Sequence, residues 1–294
     1  MESRKETKAW FIDRNTPNHW IYLRIKKRIV SVRTPFQHVE IFDTFEYGRM
    51  VVLDGQIQSA ESDEFIYHEI LVHPIMITHP RPARILVLGA GEGATLREVL
   101  KHSTVENIVM IDIDRDFVDI ARKYLRTWHE GSFEDRKVHL IHDDAVAFLQ
   151  KTTDSFDVII ADISDPSERG PARSVYSERF YARIRKALKP DGIFATQATS
   201  IHQMPYKNYS SWIMKKLLRV FPRVDPFYEY IPSFGNLWSY ASGSLRYSPK
   251  AMSQKLIEKR MTRRGIKNLC YYTPAIHGRL FIMPPCMKRN IPAV

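Results

Sequence analysis

The chain has 294 residues, of which 44% are hydrophobic, and this is enough for one large domain and a smaller one. No apolar run approaches the roughly 20 residues that cross a bilayer, and the N-terminal residues lack the apolar core of a signal peptide. The sequence therefore argues against a membrane-spanning or secreted protein, and we expect a cytoplasmic one with no membrane partner.

The net charge of +11 is concentrated near the end of the sequence. From residue 245 onward the chain has eleven Lys or Arg and one acid, Glu258, a net +10 that leaves +1 for the other 244 residues. Such a segment can attract RNA without sequence preference, but it equally suits a solvated helix face or pairing with a neighbouring subunit. Because the rest of the chain is nearly neutral, we favour these last explanations and expect no nucleic acid partner.

The two cysteines, Cys270 and Cys286, have no Cys or His partner at the Cys-x-x-Cys spacing of metal sites. We therefore expect no metal ion in this protein. Both cysteines are predicted to be unpaired thiols, although a bridge between them stays open because hyperthermophile proteins can hold disulfides inside the cell.

Up to about residue 61, short stretches alternate between apolar and polar residues, a pattern typical of antiparallel strands. The dipeptide Asp54-Gly55, placed between two apolar stretches, is a strong hairpin signal. We predict an N-terminal β-strand and hairpin domain over residues 1–61. Its predicted strands cover residues 20–25, 30–32, 37–42 and 49–53.

A helix is predicted from Ser62-Asp63-Glu64 to just before Pro80, because an N-cap residue and acids precede apolar residues at helical spacing. Strand-like runs then alternate with helical segments, which indicates an α/β domain of the Rossmann-like, doubly wound type with a mostly parallel sheet. We assign residues 62–294 to this second domain, with the basic segment from about 245 at its end. The predicted strands cover 85–88, 108–111, 138–141, 158–160 and 193–196, and the predicted helices cover 94–102, 117–125 and 177–188.

A glycine-rich turn, Gly89-Ala90-Gly91-Glu92-Gly93, links the first strand of this domain to a helix, and its glycines let the backbone approach a ligand. After the next strand, Asp112 can accept the hydroxyl hydrogens of a ribose, and after the third, Asp143 or Asp144 can accept from an adenine amino group. A dinucleotide and an S-adenosyl compound both fit. Glu92 favours the second, because its carboxylate repels a pyrophosphate and attracts a sulfonium. It is equally explained as an acid that stabilises a helix start.

Two more carboxylates, Asp162 and Asp165, follow the apolar run 156–161. A buried parallel strand delivers such residues to its carboxyl end, where open α/β sheets bind ligands. The Asp165-Pro166 step is also a common turn signal. The pair therefore indicates either a pocket for a cation or a simple loop.

Several motifs occur in a fixed order along the chain: Phe36-Gln37, residues 52–58, the Asp-Glu-Phe-Ile-Tyr-His-Glu block at 63–69, the turn at 89–93, and Asp162-x-x-Asp165-Pro166 followed by Gly170-Pro171-Ala172. In this order they resemble the aminopropyltransferases of the spermidine synthase family, from about Trp20 to Ala241. A set of motifs in register is far more specific than any one of them.

The resemblance implies that decarboxylated S-adenosylmethionine is a co-substrate, that its aminopropyl group passes to a polyamine with release of methylthioadenosine, and that no cofactor is needed. It implies a homodimer or homotetramer, with the N-terminal β domain as the self-association surface. It makes Asp162 the general base and Asp165 a cation anchor. The implied nucleoside site comprises Gln37, Gly89, Gly91, Asp112, Asp143, Asp144 and Pro171. The implied amine site comprises Tyr67, His68, Glu92, Asp162, Asp165, Phe234 and Trp238.

Three departures from the family pattern resemble its thermospermine synthase branch. The turn has Glu92 in place of the usual Asp, the loop from Asp165 to Pro171 is longer than usual, and Phe234 stands where spermidine synthases commonly have an acceptor-binding tyrosine. We therefore predict conversion of spermidine to thermospermine, with Glu168 in the longer loop available to an additional ammonium. Putrescine, agmatine and cadaverine remain alternative acceptors.

Two functions of other classes stay open. An S-adenosylmethionine-dependent methyltransferase would share the glycine turn and Asp112, but it does not require the block at 63–69 or the paired acids. A noncatalytic polyamine-binding module would share the fold, but it would not need every acid that the resemblance assigns to the site. Likewise, Tyr67 and His68 taken alone are explained by helix packing.

Overall fold

The computed structural model describes residues 9–16, 18–166, 171–201 and 209–285, with only the backbone of 15, 16 and 171–173. It divides into two compact units. The first runs to Glu64 and also includes Ile231–Gly235; the second comprises Phe65–Tyr230 and the chain from Asn236 onward. Cys286 and the loop residue Glu168 lie outside the described residues, whereas Cys270 is an exposed free thiol.

The first unit is built on a five-stranded antiparallel sheet whose strands lie in chain order. The two strands predicted at 20–25 and 30–32 form one long strand, and irregular pairing near Ile25 and Arg28 explains the break in its sequence pattern. The predicted hairpin is present: Asp54 and Gly55 have φ values of 50° and 80°, the left-handed pair that a two-residue turn requires. The strands are β1 (Trp10–Thr16), β2 (His19–Arg33), β3 (His38–Thr44), β4 (Arg49–Leu53) and β5 (Gln56–Ala60).

The second unit contains a seven-stranded sheet in the order β11-β12-β10-β9-β6-β7-β8. Strands β6 to β10 are parallel to one another, and β12 runs antiparallel to β10. This confirms the predicted Rossmann-like fold with a small antiparallel sheet before it. The strands are β6 (Arg84–Gly89), β7 (Asn107–Ile111), β8 (Val138–Ile141), β9 (Phe156–Asp162), β10 (Leu188–Ser200), β11 (Arg223–Ile231) and β12 (Asn236–Ser244).

Helices lie between and after these strands. Those at 94–100, 115–124 and 178–187 match the predicted helices to within a few residues, whereas the two helices after residue 253 were not predicted. Among the described residues, none of the helices is both long and apolar enough to span a membrane. The helices are α1 (Glu64–Thr78), α2 (Ala94–Leu100), α3 (Arg115–Tyr124), α4 (Arg126–His129), α5 (Ala145–Lys151), α6 (Glu178–Ala187), α7 (Tyr209–Val220), α8 (Gln254–Arg264) and α9 (Pro274–Leu280).

Both faces of the central strands are buried, which explains why their sequences are continuous apolar runs. Along β6, Ile85 and Val87 pack into one core, with Ile70 of α1. Leu86 and Leu88 point the other way into a second core, with Ile184 of α6. The central strands therefore end at a fixed, rigid edge, which suits a site that needs accurate positioning.

Two arginines of the basic segment bind the end of α1. Arg260 donates to the carbonyls of Ile77 and Thr78 at 2.7 and 2.5 Å. Arg264 donates to three more carbonyls, those of Met76 at 2.6 Å, His79 at 2.6 Å and Pro80 at 3.1 Å. The last carbonyls of a helix have no partner within it, so these guanidinium groups supply the missing donors and complement the helix dipole. Part of the basic segment is thus a structural clamp on α1.

A carboxylate of α1 ties down the segment that follows α8. Glu69 is 1% exposed, and its oxygens accept hydrogen bonds from the backbone N–H groups of Cys270, Tyr271 and Tyr272 at 2.7, 3.0 and 2.6 Å. A buried carboxylate is stable only with such donors. Helix α1 and the C-terminal segment therefore hold each other in place.

We expect Arg264→Ala to lower the free energy of unfolding by about 2–3 kcal/mol, because buried carbonyls at the end of α1 lose their donors. Burial, with the charges of Arg260 and Arg263, lowers the pKa of Arg264 to about 10, so it is still a cation at pH 7. Chemical denaturation measures the change. The control is Arg263→Ala, an exposed neighbour on the same helix, which should cost no more than about 0.5 kcal/mol. Equal losses in the two variants would contradict the clamp.

Candidate active site

The acids predicted from the sequence lie at one edge of the parallel sheet. Gly89 at the end of β6 is paired with Asp162 at the end of β9, and Leu88 is paired with Ile111, which precedes Asp112. Strand β8 is paired with β7 and leads into Asp143 and Asp144. Three strands therefore deliver carboxylates to the same edge, and β6 between two of them leads into the glycine turn, as in other open α/β sheets that bind ligands.

The glycine turn fits tightly against its surroundings. Gly89 has φ of 79°, and a Cβ on it would lie 2.2 Å from the carbonyl oxygen of Asp162. A Cβ on Gly91 would lie 2.6 Å from the Phe117 ring and 3.1 Å from a carboxylate oxygen of Asp112. In addition, the N–H of Ala90 donates to the carbonyl of Asp162 at 2.9 Å. Gly89 therefore lets β6 and β9 approach each other. Gly91 lets the turn lie close to the carboxylate of Asp112.

We expect Gly89→Ala to be far more destabilising than the same change at Gly265. Both glycines have positive φ, which costs an alanine about 1–2 kcal/mol, but nothing lies within 4 Å of a Cβ on Gly265. At Gly89 the collision with Asp162 should add about 1–3 kcal/mol. Thermal unfolding of the two variants measures the difference, and similar unfolding temperatures would contradict the close approach.

Asp112 is buried, and one of its oxygens accepts a hydrogen bond from the N–H of Asp114 at 2.8 Å. Burial raises the pKa of Asp112 to about 7, and the negative charges of Asp114 and Asp162 raise it as well, although the hydrogen bond opposes them. The side chain next to the glycine turn is therefore poised between its neutral and charged forms near pH 7. Its assignment to a ribose stays a prediction.

Asp143 and Asp144 take up ordinary turn and cap roles. Asp144 is the N-cap of α5, and one of its oxygens accepts from the N–H groups of Val146 and Ala147 at 2.5 and 3.2 Å. Asp143 accepts from the N–H of Asp144 at 2.8 Å. These contacts explain the residue types locally, so binding of an adenine by either aspartate stays a prediction.

Asp162 is held by two hydroxyl groups. Tyr67 of α1 donates to Oδ1 at 2.8 Å, and Thr95 of α2 donates to Oδ2 at 2.6 Å. Burial, and then the negative charge of Asp162, raises the pKa of Tyr67 well above its ordinary value, so the phenol keeps its proton and remains a donor. The structure thus brings the predicted Tyr67 and Asp162 together and adds Thr95, which the sequence patterns did not indicate.

Asp165 is held by a second group of side chains that the sequence patterns also missed. Nε2 of Gln197, on β10, donates to Oδ1 of Asp165 at 2.9 Å and lies 2.6 Å from the hydroxyl of Tyr176. That hydroxyl in turn contacts the carbonyls of Ile163 and Ser164 at 3.1 and 3.2 Å. The backbone between the two acids is therefore fixed. A polar Gln197 inside a buried strand was the available signal, since a buried amide needs partners.

The remaining predicted residues belong to several elements of the two units. The buried His68 lies edge-on to the ring of Tyr67, with ring centroids 5.0 Å apart, and Trp238 is half-buried on β12. Glu92 is half-buried in the glycine turn. Gln37 and Phe234 belong to the first unit, and Pro171 begins a short 3₁₀ turn. The roles of these residues stay predictions.

Two family models together match most of the chain: the spermine/spermidine synthase domain over residues 64–251 and the spermidine synthase tetramerisation domain over residues 9–61. The chain belongs to the spermine/spermidine synthase family. It is therefore an aminopropyltransferase, a transferase of alkyl groups.

Individual relatives support the assignment to this family. The aminopropyltransferase is 42% identical to the polyamine aminopropyltransferase of Aeropyrum pernix over 84% of its own length and 78% of that protein. It is also 42% identical to the polyamine aminopropyltransferase of Pyrobaculum calidifontis, over 86% of its own length and 87% of the relative. A spermidine synthase crystallised with the transition-state analogue AdoDATO superposes with a TM-score of 0.89 and 30% identity, covering 97% of this chain and 95% of that one.

The geometry suits an aminopropyltransferase that binds a cation. A carboxylate has about four lone-pair positions, so Asp162 can still accept from an ammonium group, or take up a proton, while Tyr67 and Thr95 hold it. Carboxylates at one sheet edge also disfavour phosphate and carboxylate ligands. The site can therefore orient an amine and receive its proton.

Proposed function

We propose that this aminopropyltransferase transfers the aminopropyl group of decarboxylated S-adenosylmethionine to spermidine and forms thermospermine. The observation that carries the proposal is the orientation of Asp162 by Tyr67 and Thr95, close enough to Asp112 for its charge to act on that residue. One carboxylate would then receive the proton of the attacking amine while the other binds the ribose of the donor.

In the proposed reaction the lone pair of the amine attacks the methylene carbon bonded to the sulfonium sulfur. A carbon–nitrogen bond forms, the carbon–sulfur bond breaks, and its electron pair neutralises the sulfur of the departing methylthioadenosine. The amine proton passes to Asp162. Because the leaving group is already activated, the enzyme mainly provides positioning and a free lone pair. Decarboxylated S-adenosylmethionine is consumed as a co-substrate, and we propose no cofactor and no metal.

The choice of spermidine rests on the departures from the family pattern. Phe234 in place of a tyrosine removes a polar partner for a terminal amine, and its apolar ring suits the methylenes of a triamine such as spermidine. Glu168 adds an acid that an extra ammonium can meet. Putrescine is the second candidate acceptor, because two solved structures that superpose on this chain, with TM-scores of 0.89 and 0.87, are those of spermidine synthases.

The carboxylates also separate the proposed donor from ordinary S-adenosylmethionine. The methyl donor carries an additional carboxylate, which would meet the like charges of Asp162, Asp165 or Glu92. Like charges in a partly desolvated site cost several kcal/mol. We therefore propose that the methyl donor is rejected and that methyl transfer is not the activity.

The decisive experiment incubates the enzyme with decarboxylated S-adenosylmethionine and, separately, putrescine, agmatine, cadaverine or spermidine. Chromatography must resolve thermospermine from spermine, because they differ in which end of spermidine reacts. The highest kcat/KM with spermidine, and thermospermine as product, would support the proposal. Preference for a diamine or formation of spermine would contradict the acceptor. Methyl transfer from S-adenosylmethionine, or tight binding without turnover, would overturn the reaction itself.

We also propose that the enzyme self-associates through its first unit as a homotetramer. The tetramerisation-domain match covers residues 9–61. In the same unit Trp10 and Tyr22 are 56% and 53% exposed, and the pairing of Ile12 with Tyr22 and of Trp10 with Arg24 places these side chains on one face of the sheet. Light scattering during gel filtration gives the mass of the particle. A monomer would contradict self-association, and a dimer would contradict the tetrameric state.

A further inference from the structure

Strand β10 contains a bulge directly after Gln197. Gln197 is paired with Tyr240 and Ser200 with Trp238, so Ala198 and Thr199 together lie opposite the single residue Ser239. Thr199 has φ of 61°, a left-handed conformation that is rare for a β-branched residue. Bulges occur preferentially next to active sites, where they change the direction of a side chain.

A buried pair of serines satisfies the bulge. The carbonyls of Ala198 and Thr199, which the bulge removes from the regular ladder, both lie 2.7 Å from Oγ of Ser239. Ser239 has one hydroxyl hydrogen, which it shares between them. Oγ of Ser210, on α7, lies 2.8 Å from Oγ of Ser239 and supplies that oxygen with a further hydrogen bond. Both serines are at most 1% exposed, so water does not replace these contacts.

The bulge also fixes the orientation of the Gln197 amide. Its Oε1 accepts a hydrogen bond from the N–H of Thr199 at 2.8 Å. With the oxygen held there, Nε2 must face the opposite way, where it donates to Asp165 and reaches Tyr176. In a regular strand the N–H of Thr199 would not be available to this oxygen. The strained residue therefore decides which end of the amide meets Asp165.

We propose that the bulge at Ala198–Thr199, held by Ser239 and Ser210, is a positioning device that orients Gln197 and so fixes Asp165 for binding the amine substrate. Ser239, Ser210 and Thr199 act through Gln197 and are positioning residues. The inference rests on the proposed function, in which Asp165 anchors the acceptor cation. A left-handed threonine and two buried hydroxyls make this strand less stable than a regular apolar strand, and such strain persists where it positions functional groups.

The test compares Ser239→Ala with Ser242→Ala. Ser242 is on the same strand and equally buried, but its Oγ lies 3.5 Å from the carbonyl of Asp225, away from the bulge. Calorimetry of spermidine and putrescine binding in the presence of methylthioadenosine should show amine affinity about tenfold weaker in Ser239→Ala and unchanged in Ser242→Ala, the loss expected for about one hydrogen bond. The affinity for methylthioadenosine should be unchanged in both. In turnover, the amine KM should rise about tenfold while kcat stays within about threefold.

Two further variants keep the inference falsifiable. Thr199→Gly adopts the same φ without strain and should retain amine affinity within about threefold. If Ser239→Ala does not fold, Ser210→Ala should weaken amine binding about threefold, and unchanged binding would overturn the inference. Unchanged amine affinity in a folded Ser239→Ala, an equal loss in Ser242→Ala, or no amine binding by the unaltered enzyme would overturn it as well. Amine binding without aminopropyl transfer would instead reject the proposed reaction and leave the bulge inference standing.

Discussion

Replacing Asp162 by asparagine should lower kcat about 1,000-fold and leave the affinity for methylthioadenosine within about twofold, since a general base typically contributes about 10²–10⁴ in rate. The amide has nearly the same shape and can still bond with Tyr67 and Thr95, which hold the carboxylate on both sides. It cannot take up the proton of the amine. Turnover at saturating amine and calorimetry with methylthioadenosine measure the two quantities.

The matched control for Asp162→Asn is Asp154→Asn. Asp154 is a half-exposed surface residue of the same unit, paired with Arg84 at 2.9 Å, and the same chemical change there should leave kcat unaltered. Near-normal turnover by Asp162→Asn would reject the assignment of the base. A large loss of methylthioadenosine affinity would show instead that Asp162 mainly shapes the nucleoside site.

Affinity for methylthioadenosine should fall about tenfold per pH unit below pH 7, and Asp112 is the cause. Only the charged carboxylate can accept both hydroxyl hydrogens of a ribose. The folded, ligand-free enzyme has an Asp112 pKa of about 7, so below that pH binding must first remove a proton. Above pH 7 the carboxylate is already charged and the affinity should level off. Calorimetry between pH 5.5 and 8.5 traces the curve.

Asp112→Asn should weaken methylthioadenosine binding about 100- to 1,000-fold at pH 8, because hydrogen bonds to a charged acceptor are each worth about 1.5–3 kcal/mol. The variant should also lose the pH dependence. Asp116→Asn, an exposed acid in the first turn of α3, is the control and should keep both the affinity and the curve. An unchanged pH dependence in Asp112→Asn would assign the titration to another group.

The central strands could be predicted from local sequence patterns. The elements that could not be predicted are those whose residue types are explained by contacts with distant parts of the chain. Strands β6, β7 and β9 are buried on both faces, so each appears as an apolar run. By contrast, β12 is rich in small and polar residues, and its strand conformation depends on pairing with β10. In α8 the buried Arg264 interrupts the amphipathic pattern, because it points inward to the carbonyls of α1.

The residues of the candidate site also divide into those that local patterns predict and those that they do not. The positions of Asp112 and Asp162 could be predicted, because a residue that ends or follows a buried parallel strand lies at the carboxyl edge of the sheet. The partners could not be predicted, because Thr95 and Gln197 each contact an acid that is distant in the chain. The hydroxyl of Tyr176 contacts the carbonyl of Ser164, the residue before Asp165. Their importance arises from the register of the strands, which a linear pattern does not contain.

The contact between Glu69 and residues 270–272 bears on how short a working catalytic fragment can be. The synthase-domain match ends at residue 251. A chain cut there would leave the buried carboxylate of Glu69 without its three N–H donors, two residues from Tyr67 on the same helix. Removing the partners of a buried charge typically costs about 3–5 kcal/mol. The smallest fragment able to keep Tyr67 against Asp162 therefore includes Tyr272, so the synthase-domain match and the unit of folding have different ends.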